Sequence, residues 1–281
     1  MPNLMWTWQE AVAVAGLLTA GWVVLRRLRA WQRAQPFLRE TALIIGLYGL
    51  WQFAGSLAGS GTYAAVGRGQ WIWNTERSAL LPSERTVQGW ILPHPVIVQA
   101  ANLYYDIMHF GVMIFFLVWL FAWHQEAYSR WRTTIALVTA ACLLIQLIPV
   151  APPRMIPGLD MVDTAVKYGQ SVYSAAGGFD PDQLSAMPSV HVGWAVLVAV
   201  CAYRVSTSRW RYLGMAHAAA TIFVVTATGN HYWADGIVAV VLLVAALIAQ
   251  RTVRTLLRRH VTARKDLAKQ DVEHGSLVDV R

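Results

Sequence analysis

A histidine and an aspartate stand four residues apart in TGNHYWADGIVAV, residues 228–240, at the head of a long apolar run. Ionisable side chains in an apolar segment of membrane length are costly, and they are tolerated mainly where they face a cavity. Residues at i and i+4 share one face of a helix. A carboxylate bonded to one imidazole nitrogen sets the tautomer and leaves the other nitrogen free as a nucleophile or base. His231 and Asp235 are therefore predicted to form a catalytic pair.

The segment SAMPSVHVGWAV, residues 185–196, carries another histidine at the start of a second apolar run. Pro188 followed by Ser189 is typical of a helix start, which places Ser189 and His191 in the first turn. The imidazole of His191 is suited to protonate a leaving oxygen. It could therefore supply the general acid that complements a nucleophilic His231.

An arginine completes this set in IPVAPPRMIPGLD, residues 148–160. The guanidinium of Arg154 is a planar fork that suits the oxygens of a phosphate. Two helix amino termini directed at one point would add partial positive charge, which also favours an anion. We expect three segments to bring these residues to one level at the outer membrane surface: Arg154, Ser189, His191, His231 and Asp235. The predicted chemistry is phosphoryl transfer without a metal, and no cofactor is expected.

Each component of this predicted site has a second interpretation. A histidine at the end of a span can anchor the helix at the interface, and a His–Asp pair can simply neutralise two buried polar groups. Two histidines and one aspartate can also bind a divalent metal, although the basic neighbour and the lack of further carboxylates argue against this. Arg154 can be a surface charge on a rigid turn formed by Pro152 and Pro153. The convergence of all these residues favours a site.

Hydrophobic residues make up 56% of the 281-residue chain, and charged residues only 14%. A soluble domain of this length does not need so much apolar sequence, so an integral membrane protein is predicted. Crossing a hydrocarbon core of about 30 Å takes about 20 apolar residues in a helix. The predicted fold is therefore all-α, a polytopic membrane bundle of about six to seven transmembrane helices. The predicted spans lie near residues 6–25, 41–66, 103–123, 132–150, 189–205, 212–228 and 232–250.

Most of the 23 Lys and Arg residues fall in loops and a tail that lie on one face of this bundle. The opposite face holds only Arg68, Arg77, Arg85, Arg154 and Lys167. The positive-inside rule places the basic face in the cytoplasm and the amino terminus outside, so the candidate site would face the extracytoplasmic side of the cell membrane. The net charge of +8 then reflects juxtamembrane anchoring and contact of the tail with anionic lipid, and it does not indicate nucleic-acid binding.

The motifs PSVH and, some forty residues later, GNHYWAD resemble the second and third signatures of the type-2 phosphatidic acid phosphatase superfamily. Arg154 of APPRMIP matches the arginine that ends the first signature. The resemblance implies that His231 attacks phosphorus and that Asp235 orients it. It further implies that His191 protonates the leaving group and that Ser189 donates a hydrogen bond to the phosphate.

Two cations of the superfamily pattern are replaced, by Leu147 in the first signature and by Val225 in the third. With APPR and GNHY, the pattern more closely resembles the inositol phosphorylceramide synthase-like branch, whose fungal members transfer phosphoinositol between lipids. The segment NLYYDIMHF, residues 102–110, is a further match to that branch. This resemblance adds possible site-lining residues: Asn102, Tyr105, His109 and Asn230. Separately, Lys167 of MVDTAVKYG is a candidate phosphate-binding residue that can replace one of the lost cations. The stripe at 102, 105 and 109 can instead serve interhelical hydrogen bonding.

These patterns divide the chain into four regions. Residues 1–66 are predicted to be amino-terminal transmembrane helices, and residues 67–102 an extracytoplasmic segment lying in the interface. Residues 103–250 form the phosphatase- or phosphotransferase-like core, and residues 251–281 a basic cytoplasmic tail. The first segment lacks a basic leader and a small-residue cleavage site, so it is expected to be a retained span. Cys142 and Cys201 are expected to be ordinary core residues.

The function predicted is that of a metal-independent lipid phosphatase or phosphotransferase working through a phosphohistidine. Its partners would be a membrane lipid substrate and the bilayer itself. Transfer to water makes a phosphatase, and transfer to an alcohol makes a transferase; the sequence leaves this choice, the lipid and the oligomeric state open. The alternative is a non-enzymatic lipid-binding or transport protein, although a transporter would more naturally show inverted repeats and broken helices at mid-membrane depth.

Overall fold

The computed structural model describes residues 7–28, 31–32, 34–57, 61–170 and 181–278. Within these ranges the chain is helical apart from loops and one isolated parallel bridge between Val150 and Ser185, which confirms the all-α prediction for the described residues. The helices are α1 Trp8–Arg27, α2 Gln35–Leu57, α3 Thr62–Ser78, α4 Glu84–Ile91, α5 Pro95–Trp123, α6 Gln125–Gln146, α7 Thr164–Lys167, α8 Val190–Val205, α9 Arg211–Ala227 and α10 Trp233–Val278.

Three described helices are long and apolar enough to cross a membrane. They are α1, α5 and the Trp233–Leu257 part of α10, and α8 is a shorter apolar helix. These helices support a membrane protein, whereas the count of six to seven spans stays a prediction. The predicted first span begins at residue 6, and this residue lies outside the described part, as do residues 1–5, 171–180 and 279–281 of the predicted regions.

The second predicted span, 41–66, differs from the structure. Helix α2 ends at Leu57, and residues 62–66 open α3 instead; residues 58–60 lie outside the described part. The sequence around this end, GSLAGSG, is rich in glycine and serine, which are poor formers of a helix interior. The third predicted span also starts earlier than expected, because α5 begins at Pro95, a residue well suited to a first helical position.

The main apolar core lies where α5, α6, α8 and α10 pack together. Its fully buried members are Leu120, Val138, Cys142, Leu197 and Cys201. Both cysteines are free and buried, as expected. A second cluster joins α4 to α9, since Val87 and Ile91 pack with Val224 and Ala227. The segment predicted to lie in the interface thus contributes a short amphipathic helix, α4, whose apolar face contacts the bundle.

Backbone hydrogen bonds join the three loops that carry the predicted motifs. Val150 donates to the carbonyl of Leu184 and accepts from the amide of Ala186, at 2.6 and 3.2 Å. The amide of Ser189 donates to the carbonyl of Asp235 at 3.1 Å. The Tyr232 hydroxyl donates to the carbonyl of Ala151 at 2.9 Å. These bonds satisfy buried polar groups and fix the positions of the three loops relative to one another.

Helix α3 packs closely against these joined loops at Gly69. A Cβ atom at Gly69 would lie 2.6 Å from the Ala151 carbonyl oxygen and 2.7 Å from the Tyr232 hydroxyl. No atom lies within 4 Å of the corresponding position at Gly67, one half-turn earlier on the same helix. The glycine at 69 is therefore needed for the contact between helix and loops.

We expect Gly69→Ala to lower the free energy of unfolding by about 1–3 kcal/mol, because the added methyl group must displace backbone. The matched control Gly67→Ala should be neutral or stabilising by up to about 1 kcal/mol, through the higher helix propensity of alanine. Thermal unfolding of the two purified variants in detergent measures the difference. Equal midpoints for both variants would contradict the close packing at Gly69.

Candidate active site

His231 lies in the short connection between α9 and α10. Helix α9 ends at Ala227, and Gly229 then adopts a φ of +69°, a left-handed conformation that glycine tolerates best. The amides of Asn230 and His231 both donate to the carbonyl of Val225, at 3.0 and 3.1 Å. The end of α9 therefore sets the position of the histidine.

This position of His231 corrects the prediction that His231 and Asp235 lie on one face of a helix. Because α10 begins at Trp233, His231 precedes the helix and does not share a helix face with Asp235. The two side chains meet because the connection turns back over the first turn of α10. There, the Asp235 carboxylate accepts a hydrogen bond from the amide of Tyr232 at 2.8 Å.

The Nδ1 atom of His231 has two acceptors. It lies 2.7 Å from the carbonyl oxygen of Ala186 and 3.3 Å from Oδ2 of Asp235. A backbone carbonyl cannot donate, so Nδ1 carries a hydrogen, and in the neutral ring Nε2 then carries the lone pair. The pair is shielded from solvent, with His231 4% and Asp235 0% exposed. This is the tautomer that a nucleophilic histidine needs.

His191 lies directly beside the free nitrogen of His231. Its Nδ1 is 3.3 Å from Nε2 of His231, and the lone pair on that Nε2 makes His191 the donor. Helix α8 begins at Val190 with Ser189 as its N-cap, so the predicted helix start and the placement of His191 are both confirmed. The Nε2 atom of His191 is buried and has no hydrogen-bond partner among the described residues.

Helix α5 supplies one wall of the site through two of its predicted residues. The ring of Tyr105 stacks on His191 with centroids 4.4 Å apart, and the ring of His109 lies 4.3 Å from the same imidazole. The Nδ1 of His109 donates to the carbonyl of Tyr105 at 2.9 Å. Asn102, from the same stripe, is used differently: its amide bonds to Thr164 and Gln170, at 2.8 and 3.0 Å.

Arg154 is a buried part of this arrangement, with only 6% of its side chain exposed. Its Nε donates to Asp163 at 3.0 Å, and its Nη1 makes a short hydrogen bond to the side-chain oxygen of Asn230. Its amide donates to the carbonyl of Gly229 at 3.1 Å. The alternative of a surface charge on a proline turn is therefore wrong. Asp163, which orients the guanidinium, was not predicted.

Ser189 and Lys167, which were predicted to bind phosphate, contact other groups of the protein in the structure. The Ser189 hydroxyl accepts a hydrogen bond from the amide of Val192 at 3.3 Å, while its own hydrogen stays able to donate. Lys167 is exposed on α7, and its Nζ lies 5.6 Å from the centroid of the Tyr168 ring. Phosphate binding by Ser189 and Lys167 stays a prediction.

A pair of buried glutamates caps α10. Glu76 accepts a hydrogen bond from the amide of Ala234 at 2.6 Å, and Glu84 accepts one from the amide of Trp233 at 3.4 Å. Arg77 lies between them, with Nη2 3.5 Å from Glu76 and 3.3 Å from Glu84. No local pattern indicated this pair, because Glu76 and Ala234 are 158 residues apart in the chain.

The two glutamates correct one prediction about the site. The amino terminus of α10 was expected to attract a phosphate, but the amides of Trp233 and Ala234 already donate hydrogen bonds to these carboxyl groups. Helix amino termini favour negative groups, and here the protein itself supplies them. Burial, followed by the hydrogen bond and the charge of neighbouring Glu84, raises the pKa of Glu76 to about 9. Glu76 is therefore a neutral carboxylic acid at pH 7.

We expect the wild-type protein to lose stability as the pH rises from about 4.5 to about 9. In this window unfolded Glu76 releases its proton and folded Glu76 retains it. Glu76→Gln keeps a neutral donor and acceptor, so its unfolding midpoint should depend less on pH. Exposed Glu126→Gln is the control, measured over the same range by thermal unfolding. Parallel curves for Glu76→Gln and wild type would contradict a neutral Glu76.

A family model described as the PAP2 superfamily matches residues 70–249, well over half of the chain. This match includes every candidate site residue named above, and it confirms the superfamily predicted from PSVH and GNHYWAD. The inositol phosphorylceramide synthase-like branch stays a prediction. No curated protein and no solved structure matches the chain. The chain belongs to the PAP2 superfamily, whose members are associated with phosphatase-type activity.

Proposed function

We propose that this protein is an integral membrane lipid phosphatase or phosphotransferase that acts through a phosphohistidine on His231. The observation that carries the proposal is the hydrogen-bond chain from Asp235 and Ala186 through His231 to His191. It leaves one unprotonated nitrogen beside a second imidazole in a buried site. Membership in the PAP2 superfamily supports the phosphatase-type chemistry, and the long apolar helices support the membrane location.

In the first step, Nε2 of His231 attacks phosphorus as the bond between phosphorus and the leaving oxygen breaks. The hydrogen on Nδ1 stays with His231, and the Asp235 carboxylate stabilises the positive charge that the ring gains. His191, in its protonated form, gives a proton to the departing oxygen. For this, the phosphoryl group must take the place of the 3.3 Å hydrogen bond between the two imidazoles.

In the second step, a hydroxyl group attacks the phosphohistidine and restores His231. Water as the acceptor gives a phosphatase. A lipid or sugar hydroxyl gives a transferase, and the resemblance to the inositol phosphorylceramide synthase-like branch supports this second acceptor. His191 accepts the proton of the attacking hydroxyl in either case.

Arg154 is the cation that we assign to the substrate phosphate. Asp163 and Asn230 hold its guanidinium next to the connection that carries His231, and burial strengthens its attraction for an anion. Ser189 is proposed as a hydroxyl donor at the start of α8. With Leu147 and Val225 in place of two superfamily cations, the site has less positive charge, which suits a singly charged phosphodiester.

The proposed orientation places this site at the extracytoplasmic surface. The basic residues between the predicted spans support it through the positive-inside rule. A lipid would then reach the site laterally from the outer leaflet. We further propose that six to seven helices span the membrane.

His231→Ala should lower turnover of a phospholipid substrate at least about a thousandfold, because the variant lacks the Nε2 atom that forms the bond to phosphorus. His124→Ala is the matched control, since His124 lies outside the site at the junction of α5 and α6. The assay presents a lipid panel to purified protein in excess chelator, with mass spectrometry of both products. Retained turnover in folded His231→Ala would refute the assignment, and a lack of turnover by wild type on every lipid would favour the lipid-binding alternative.

His191→Ala should lower turnover strongly for alkyl phosphates and much less for an activated aryl phosphate. An alkoxide leaves poorly without a proton, whereas a nitrophenolate needs little assistance. The ratio of kcat/KM for the two substrates, measured on wild type and variant, tests this. Equal losses on both substrates would contradict a general acid and would point to a structural role for the imidazole.

A further inference from the structure

A second polar site lies at the other end of the bundle. A cavity of about 370 Å³ opens between the start of α6 and the middle of α10, and Arg130, Gln250, Arg251, Arg254 and Thr255 line it. With a rise of 1.5 Å per residue, Arg251 and Arg254 lie about 24 and 29 Å along α10 from Asp235. The cavity is therefore separate from the candidate active site by the thickness of a membrane core.

Buried hydrogen bonds hold the wall of this cavity in place. Gln250 is only 8% exposed. Its Nε2 donates to the carbonyl of Arg130 at 3.0 Å, and its Oε1 accepts from the Thr134 hydroxyl at 3.3 Å. These contacts tie α6 to α10 next to the cavity. These bonds therefore fix the backbone from which the exposed side chains of Arg251 and Arg254 extend.

The charges that line the cavity are of one sign. Burial, followed by the positive charges of Arg254, Arg251 and Arg204, lowers the pKa of Arg130 below its ordinary value. In the described part of the chain, the acidic groups that form ion pairs do so with other arginines or with His231, and none pairs with these three. Repulsion among clustered guanidiniums is unfavourable until an anion joins them.

The size of the cavity favours a small anionic group. Its volume lies within the range of roughly 300–1,000 Å³ that is common for sites of small ligands. Guanidinium groups match the geometry of phosphate oxygens, with which they form paired hydrogen bonds. Arginines that only set the orientation of a helix in the membrane would not need to surround a cavity.

We propose that this cavity binds a phosphate group from the cytoplasmic side, carried by an anionic phospholipid headgroup or present as free phosphate. The same chemistry recognises both sources, and the proposed orientation, which places these two helix ends in the cytoplasm, gives access to either. Bound phosphate would relieve the repulsion among the arginines and hold α6 against α10. This assignment does not rest on the proposed catalytic function.

The test compares Arg130→Gln/Arg254→Gln with Arg209→Gln, which removes an exposed arginine from the same cytoplasmic face but from outside the cavity. All proteins carry His231→Ala, so that no added lipid is consumed. One arm titrates dioleoylphosphatidylglycerol against dioleoylphosphatidylcholine into delipidated protein in neutral detergent. The other arm titrates inorganic phosphate against chloride at equal ionic strength. Thermal unfolding reports binding in both arms.

We expect the double variant to bind the ligand about 30-fold more weakly, since each basic residue near a membrane surface contributes about 1 kcal/mol to anion attraction. Arg209→Gln should bind like the parent protein. A difference in the phosphatidylglycerol arm alone identifies a lipid headgroup, and a difference in the phosphate arm identifies the phosphate group itself. If the double variant does not fold, Arg254→Gln alone should show a loss of about fivefold. Equal binding by the cavity variant and Arg209→Gln in both arms would overturn the proposal.

Discussion

The hydrogen on Nδ1 of His231 is the constraint on which the candidate active site depends. The Ala186 carbonyl, 2.7 Å away, can only accept, so this nitrogen must donate and Nε2 must hold the lone pair. Asp235 lies at the same nitrogen, positioned to stabilise the positive charge of a phosphorylated ring. Ala186 precedes α8, Asp235 belongs to α10, and the backbone of His231 is held by the end of α9. The tautomer therefore requires three elements to keep their relative positions.

The free-energy cost of burying carboxyl groups around the start of α10 is offset by hydrogen bonds from the backbone amides there. The first amides of a helix have no partner within it, and here Asp235, Glu76 and Glu84 accept hydrogen bonds from Tyr232, Ala234 and Trp233. A neutral Glu76 limits the repulsion, and Arg77 balances the charge of Glu84. The positive end of α10 thus stabilises the protein's own carboxyl groups. In the proposed mechanism, Arg154 and the start of α8 bind the substrate phosphate.

Helix α10 connects the two polar ends of the bundle. Its amino end carries Asp235, and about 24–29 Å further along it carries Arg251 and Arg254. Arg251 and Arg254 lie at the end that the distribution of Lys and Arg is expected to place in the cytoplasm. A phosphate bound in the proposed cavity would stabilise the same helix that carries Asp235.

The sequence by itself determined the apolar helices and the helix start at Ser189, and it singled out His191, His231 and Asp235 as candidates for one site, because spacing and residue type are local properties. Tyr105 and His109 were also found in this way, as one stripe on one helix. Only the tertiary structure decided that His231 precedes α10, that Asn102 binds Thr164 and Gln170, and that Glu76 and Glu84 cap α10. These outcomes depend on contacts between residues far apart in the chain. Such contacts arise from packing, which leaves no local periodicity or motif to detect.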